Sequence, residues 1–189
     1  MVLHVRVRRW TACGLPVVLV LLLGACSGSS DPKVLPLPTL SSTASPSPTP
    51  LVVPSAAAAN TPQGAAAFAR FYFDAVNKSF QNRSGSTLRE ISASSCKTCM
   101  GLASAADRLA AVDQRLRGGV YTVLSSEAPP LEGSRARVDV VYRRTAATTV
   151  DRLGTTVGTG PEELPTTVVL TLTGGPKGWM VAMLRVFKP

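Results

Sequence analysis

The apolar residues of this sequence change their spacing at the glycine pair Gly118-Gly119. Before it they recur every three or four positions, which is the spacing of one helix face. The clearest such set is Phe68, Phe71, Tyr72, Ala75, Val76 and Phe80. After it they alternate with polar residues, as in a half-buried strand. The clearest such set is Ala136, Val138, Val140 and Tyr142. Helices followed by strands predict an α+β fold, with the helices on one face of an antiparallel sheet.

The sequence predicts three helices. The first begins with Thr61 as N-cap and Pro62 at the first helical position and runs to about residue 81. Thr87 and Glu90 have the spacing of a capping box, which predicts a short second helix through residue 92. The apolar face of the third helix consists of Leu102, Ala105, Ala106, Leu109, Val112 and Leu116. The glycine pair is predicted to end that helix.

Four strands are predicted after the glycine pair. The first has Val120, Thr122 and Leu124 on its apolar phase. The second covers 135–143, and the third and fourth, 166–173 and 179–187, are joined closely enough to form a hairpin. Residues 152–164 contain three glycines, one proline and two glutamates, which favours a flexible loop.

Prolines are concentrated ahead of this region. Eight of the 15 prolines lie between Cys26 and Gln63, in a segment rich in Ser and Thr. Repeated prolines favour extended polyproline II and remove backbone donors, so the segment is predicted to be a tether over 26–60. The folded domain is therefore expected over 61–189, a size that forms one hydrophobic core.

The N-terminus has the layout of a secretory signal: a basic start, an apolar run over 15–23, and small residues before Cys26. The run is shorter than the roughly 20 residues that span a bilayer. Leu23-Gly24-Ala25-Cys26 resembles the lipobox of bacterial lipoproteins, which implies cleavage after residue 25 and acylation of Cys26. The protein is then expected outside the cytoplasm, bound to membrane lipid. The alternative is an ordinary signal peptide that leaves Cys26 as a free thiol.

Charge and histidine content exclude several kinds of catalytic and binding site. The only histidine is His4, so removal of 1–25 leaves no imidazole for catalysis, zinc binding or pH sensing. The same removal lowers the net charge from +9 to +6, with 17 basic and 11 acidic residues. Arg135, Arg137 and Arg143 share one strand face. This face is compatible with attraction to anionic lipid or wall polymers, or with a solvated polar surface that binds nothing. No aromatics are interleaved with these arginines, so the sequence predicts no nucleic-acid partner.

Cys96 and Cys99 are the only other thiols after processing, since Cys13 lies in the predicted signal. In an oxidising space they most simply form a disulfide between the second and third helices. Cys-x-x-Cys at a helix N-terminus also permits thiol-disulfide exchange. A third interpretation, a metal shared between chains, lacks further ligands. No metal and no cofactor are predicted.

The element order and the Gly178-Trp179-Met180-Val181 strand resemble the NTF2-like, or cystatin-like, cone fold. Thr61-Pro-Gln-Gly-Ala-Ala-Ala-Phe-Ala-Arg-Phe-Tyr, Leu88-Arg89 and Ser95-Cys96-Lys97-Thr98-Cys99 are similar to a family of uncharacterised actinobacterial lipoproteins. That resemblance implies a fold and a location. Enzymes of this fold place an Asp base and a Tyr or Asp donor in the cone, which makes candidates of Tyr72, Asp74, Tyr121, Asp139 and Tyr142. The alternative is that the tyrosines are core residues and the aspartates are solvated.

The last predicted strand is apolar on both phases. Trp179, Val181, Met183 and Phe187 are on one, interrupted by Arg185; Met180, Ala182, Leu184 and Val186 are on the other. A sheet covered on one face does not need a second apolar face, so the strand predicts a pocket, a homodimer contact or a partner surface. The candidate pocket or interaction residues are Tyr72, Tyr142, Trp179, Met183 and Arg185.

These features predict a lipid-anchored, non-catalytic module that binds an extracytoplasmic protein or cell-envelope ligand. A pocket enzyme of the isomerase or hydrolase type is the main alternative, and disulfide exchange through Cys96 and Cys99 is the next.

Overall fold

The structure is a computed structural model and describes residues 52–176 and 178–187. The predicted signal peptide, Cys26 and the tether up to residue 51 lie outside the described residues. None of the helices in the described part of the chain is long and apolar enough to cross a membrane.

Four helices are present in the described residues: α1 Ser55–Ala58, α2 Pro62–Asn82, α3 Ser86–Glu90 and α4 Lys97–Ala111. The predicted start of α2 is confirmed, because the Thr61 side chain accepts a hydrogen bond from Gly64 N at 3.0 Å and Pro62 occupies the first turn. The helix ends where Arg83 adopts a left-handed φ of 55°. The short helix α1 precedes Thr61 and was absent from the three-helix prediction.

The predicted capping box at Thr87 and Glu90 is wrong. Gly85 occupies the N-cap of α3, and its N–H donates to the carboxylate of Asp107 on α4 at 2.7 Å. This backbone hydrogen bond, together with the paired guanidinium of Arg89, lowers the pKa of Asp107. A Cβ atom on Gly85 would lie 2.3 Å from the carbonyl oxygen of Ala103, so glycine permits the close approach of the two helices.

The predicted third helix is too long. Helix α4 ends at Ala111 rather than near Leu116, and Asp113 has a left-handed φ of 48°. Leu116 belongs instead to strand β1, Arg115–Gly118. Leu116 matched the helical spacing only by coincidence. Val112, which was assigned to the same apolar helix face, is exposed.

Seven strands are present in the described residues, where four were predicted. The main antiparallel sheet has the order β2-β3-β6-β7, with bounds β2 Tyr121–Glu127, β3 Arg135–Arg144, β6 Glu163–Gly175 and β7 Gly178–Phe187. A second sheet has the order β1-β4-β5, with β4 Ala147–Val150 and β5 Thr156–Gly160. The prediction of a loop over 152–164 is therefore wrong, since β5 lies within it.

The inside and outside faces of β3 are confirmed. Its four apolar residues, Ala136, Val138, Val140 and Tyr142, are buried, while Arg135, Arg137 and Arg143 are exposed. The apolar phase predicted for β2 is wrong: Val120 and Leu124 are exposed, and the more buried positions are Tyr121 and Val123. The Asn77 side chain fixes this phase, because its Oδ1 accepts from Tyr121 N at 2.9 Å and its Nδ2 donates to Tyr121 O at 2.8 Å.

The core lies between α2 and the main sheet. Buried side chains of α2, among them Phe68, Tyr72 and Val76, pack with Val138, Val140, Leu170 and Leu172 of the sheet. Irregular register in the β2-β3, β3-β6 and β6-β7 pairs bends the strands around this helix. The α+β prediction, with helices packed on a curved antiparallel sheet, is confirmed at this level.

Candidate functional site

Tyr72 lies at the centre of the core. Its ring meets Phe73 edge-on at 5.9 Å between centroids, and its hydroxyl is buried without a hydrogen-bond partner that meets normal geometry. The hydroxyl of Ser92, close enough to affect Tyr72, is buried and unpaired in the same way. Burial raises the pKa of Tyr72, and Ser92 offsets part of that rise. Tyr72 therefore stays protonated and is unsuited to act as a base near neutral pH.

Tyr142 belongs to a polar network at the end of β3. Its hydroxyl donates to Glu163 Oε2 at 3.1 Å, and Arg144 Nη2 lies 2.8 Å from Glu163 Oε1. Arg144 also lies over the ring of Tyr121 at 5.8 Å. Burial raises the pKa of both tyrosines, and the Glu163 charge adds to the rise in each. Within the network the charges of Arg144 and Glu163 compensate each other, which suits a structural link between β3 and β6.

The two candidate aspartates do not join these tyrosines. Asp74 is exposed on α2, and Asp139 is half-buried on β3, where Arg137 contacts it at 3.1 Å. Neither carboxylate is hydrogen-bonded to Tyr72 or Tyr142 among the described contacts. The described residues also contain no group of three or more His, Cys, Asp or Glu side chains that could hold a metal ion.

Trp179 is a core residue of β7. It is 5% exposed, and its Nε1 donates to the carbonyl oxygen of Ala59 at 2.9 Å. The indole therefore holds the chain between α1 and α2 against the start of β7. This placement separates Trp179 from Met183, with which the sequence grouped it.

Met183 and Arg185 meet at a groove between β7 and the first turn of α4, which we call the edge groove. It has a volume of about 280 Å³. Its lining residues are Ser95, Cys96, Lys97, Thr98, Ala182, Met183, Leu184 and Arg185. The Thr98 hydroxyl donates to Leu184 O at 3.2 Å and joins the two walls. The groove thus combines an apolar thioether with two exposed cations, Lys97 and Arg185.

The edge groove continues into an exposed apolar strip on β7. The strip consists of Met180, Met183 and Phe187, which are 42%, 36% and 52% exposed, while Val186 is on the opposite face of the strand and is 48% exposed. Strand β7 is at the edge of the main sheet. Residues 91–93 cover its outer side at Val181, through hydrogen bonds of 2.9 Å to Ile91 O and from Ala93 N. The part beyond Leu184 makes no such bond with the described residues.

The Cys96–Cys99 disulfide is formed and closes the first turn of α4. Both cysteines are buried, and Cys96 Sγ accepts a hydrogen bond from Cys99 N. A thiolate that attacks a disulfide must reach one of its sulfurs, and burial denies that access in the folded state. The geometry favours the structural interpretation over exchange.

Replacing both cysteines by alanine is expected to lower the free energy of unfolding by about 2 kcal/mol, the closure entropy for so short a loop. In the native protein, thiol trapping after addition of dithiothreitol should proceed only as fast as local unfolding exposes the sulfurs. The measurement is the trapping rate against urea concentration. Rapid trapping without urea would support the exchange alternative.

The roles of two residues at these sites could not be predicted from the sequence. Lys97 reaches the edge groove only because the start of α4 packs beside β7. Glu163 lies in the region predicted to be a loop, so its pairing with Tyr142 and Arg144 had no local signal. The sequence did identify Met183 and Arg185, because it showed that the last strand is apolar on both faces.

Fold and groove together define an α+β domain with helices on a curved antiparallel sheet and a groove beside its edge strand β7. The chain belongs to DUF6318, a family of unknown function, whose model matches residues 38–176. A search of curated proteins gave no match.

The solved structures that resemble the chain include the following three. The intermembrane space region of chloroplast protein ARC6 is 15% identical, with a TM-score of 0.41 over 61% of this chain and 94% of that one. The protein Rd1NTF2_05, in a form with five substitutions, is 13% identical, with a TM-score of 0.36 over 64% of this chain and 96% of that one. An uncharacterised cystatin-like protein from Caulobacter vibrioides is 14% identical, with a TM-score of 0.40 over 67% and 90%.

Proposed function

We propose that the protein is an extracytoplasmic lipoprotein, anchored through acylated Cys26, whose NTF2-like domain binds an acidic polypeptide of the cell envelope without catalysing a reaction. The observation that carries the proposal is the exposed apolar strip of β7 beside Lys97 and Arg185. The unpaired backbone N–H and C=O groups of an edge strand are a template for pairing with another chain, and exposed apolar side chains beside them add apolar contact. A binding surface of this kind explains why the last strand is apolar on both faces.

Charge complementarity selects an acidic partner. Lys97 and Arg185 pair with no carboxylate of the described residues, whereas Arg83, Arg89, Arg137 and Arg144 all do. A partner strand that carries apolar and acidic residues in turn along one face would place apolar side chains against the strip and a carboxylate beside Arg185, which lies on the same face of β7. Arginine can bind a carboxylate through two parallel hydrogen bonds, which fixes the orientation of the carboxylate as well as attracting it.

The geometry of the tyrosines supports a role without catalysis. Burial raises the pKa values of Tyr72 and Tyr142 and keeps both hydroxyls protonated, as a hydrogen-bond donor requires, but neither hydroxyl is hydrogen-bonded to an aspartate that could act as the base. Asp139, one of the candidate bases, is held on the exposed sheet face by Arg137.

A pocket enzyme is the second candidate. The buried and unpaired hydroxyls of Tyr72 and Ser92 favour it, because such groups often mark sites where a ligand completes the hydrogen bonds. Their surroundings are apolar core, and no described carboxylate is hydrogen-bonded to either one, so the candidate lacks a base.

A pair of designed peptides tests the binding function. The probe is an extended peptide whose every second residue follows the order valine, glutamate, valine, and its matched control has lysine in place of the glutamate. Fluorescence anisotropy with the acylated protein in detergent should show binding of the glutamate peptide alone. Arg185→Glu should weaken it at least tenfold, as loss and reversal of a close charge pair would.

Arg143→Glu is the matched variant, since Arg143 is an exposed arginine on β3 outside the groove. It should leave the affinity within about twofold, because exposed and distant charges are screened by salt. Equal binding of the two peptides, or an equal loss in both variants, would contradict the assignment of the edge groove.

A further inference from the structure

The small sheet β1-β4-β5 presents an apolar and basic turn, which we call the hairpin tip. It consists of the turn over 151–155 with Arg115 and Val157 beside it. Arg115 pairs in register with Val150, the last residue before the turn, and Val150 also pairs with Thr156 just after it. Arg115, Arg152, Leu153 and Val157 are therefore gathered at one end of the sheet. Leu153 is 84% exposed and Val157 is 50% exposed.

The tip is held by its own hydrogen bonds. The Asp151 carboxylate accepts from Leu153 N at 2.9 Å and Thr155 N at 2.8 Å. The Asp151 N–H donates to Thr155 O at 2.9 Å, and Gly154 supplies the left-handed φ of 86° that the turn requires. The backbone thus fixes Leu153 outward, away from the core. An apolar side chain fixed in this way is suited to enter an apolar environment outside the protein.

The charges around the tip are basic. Arg115, Arg117 and Arg152 are exposed and pair with no carboxylate of the described residues. Arg115 and Arg117 are two positions apart on β1 and so project to the same side. The one acidic group in the turn, Asp151, is occupied by backbone N–H groups. An exposed leucine among unpaired arginines fits the boundary of an anionic bilayer, where apolar side chains enter the acyl region and guanidinium groups reach phosphates.

We propose that the hairpin tip rests on the anionic surface of the membrane that carries the lipid anchor. This inference depends on the anchoring proposed above. The exposed leucine and the three arginines in and near the tip form a patch too small to recruit a free protein, but a tether raises its effective concentration at the surface. Some 26 residues of chain from Cys26 to the first described residue allow the domain to reach back to that surface.

The contact would orient the domain. Helix α4 begins at the edge groove and ends just before β1, and its 15 residues correspond to about 22 Å. The hairpin tip and the edge groove are therefore at opposite ends of α4. With the tip on the bilayer, the groove stays clear of the lipid and open to a partner.

A fluorescent probe on the tip tests the contact. The acylated protein with Leu153→Cys is labelled with an environment-sensitive dye in vesicles of phosphatidylcholine with or without phosphatidylglycerol. The native cysteines do not compete, since Cys26 is acylated and Cys96 and Cys99 form the disulfide. The matched control is Glu132→Cys, an exposed site in the turn between β2 and β3.

At position 153 we expect at least a twofold rise in emission with phosphatidylglycerol, quenching by spin-labelled lipid, and loss of both in high salt. At position 132 we expect no change. Equal responses at the two positions in protein that floats with the vesicles would overturn the tip contact alone. Protein that does not float would overturn the anchor and the tip contact together. A rise that grows with protein concentration without vesicles would instead indicate self-association and would also overturn it.

Discussion

Replacement of Trp179 by alanine is expected to lower the free energy of unfolding by about 3–5 kcal/mol, the usual cost of removing a large buried aromatic side chain. The indole is 5% exposed and holds the link between α1 and α2 through its bond to Ala59 O. Urea denaturation gives the loss directly. Most of it comes from the cavity and the lost apolar burial, because a neutral hydrogen bond contributes only about 1 kcal/mol.

Two further variants separate these contributions and test the placement of Trp179. Trp179→Phe retains most of the apolar bulk and removes the donor, so its loss should be clearly smaller than that of Trp179→Ala. Met183→Ala, on the same strand but at the exposed strip, should change stability by less than about 0.5 kcal/mol. Equal losses for Trp179→Ala and Met183→Ala would mean that the two side chains have the same environment, contrary to the structure.

The elements predicted correctly are those whose local signals agree with their tertiary contacts. Helix α2 has a capping threonine, a first-turn proline and one continuous apolar face, and all three are confirmed. Strand β3 alternates cleanly because one face is packed by α2 and the other is exposed. In both cases periodicity alone fixes which side chains are buried.

The elements that were missed have weak or misleading local signals. Strand β5 contains Gly158 and Gly160 and is largely exposed, so it shows no apolar alternation that could distinguish it from a loop. Leu116 fits the helical spacing of α4, yet the left-handed Asp113 ends the helix and starts the approach to β1. The phase of β2 depends on Asn77, a residue 44 positions away, and no local rule contains such a contact.

The candidate site shows the same division. The two-phase apolar strand was visible in the sequence, and it led to Met183 and Arg185. The β6-β7 pair contains a register shift that the sequence does not reveal. Because of this shift, Trp179, Val181 and Leu184 point inward and Met183 points outward. The sequence also could not show that Lys97 would complete the groove from another element. Spacing identifies a strand with two faces, but only tertiary packing decides which residues remain for a partner.

Cys26→Ser is expected to move the protein from almost entirely membrane-bound to almost entirely released. Two acyl chains anchor a protein stably at about 0.8 kcal/mol per buried methylene, whereas single chains give only marginal binding. Without the thiol no lipid can be attached, and the arginines of the hairpin tip provide only a weak attraction that salt removes. The measurement is the membrane-bound fraction after a wash in high salt, with the mass of the mature N-terminus.

The matched control for the anchor is Ser27→Ala, which keeps the thiol and should stay bound with the mass of an acylated Cys26. A Cys26→Ser protein that remains bound after the salt wash, and whose mass still includes residues 1–25, would show that the uncleaved apolar run over 15–23 holds it. A native protein whose mature N-terminus carries no acyl mass on Cys26 would contradict the lipobox interpretation. A released protein that still binds the glutamate peptide would show that the anchor and the edge groove act independently, since the first determines location and the second determines partner choice.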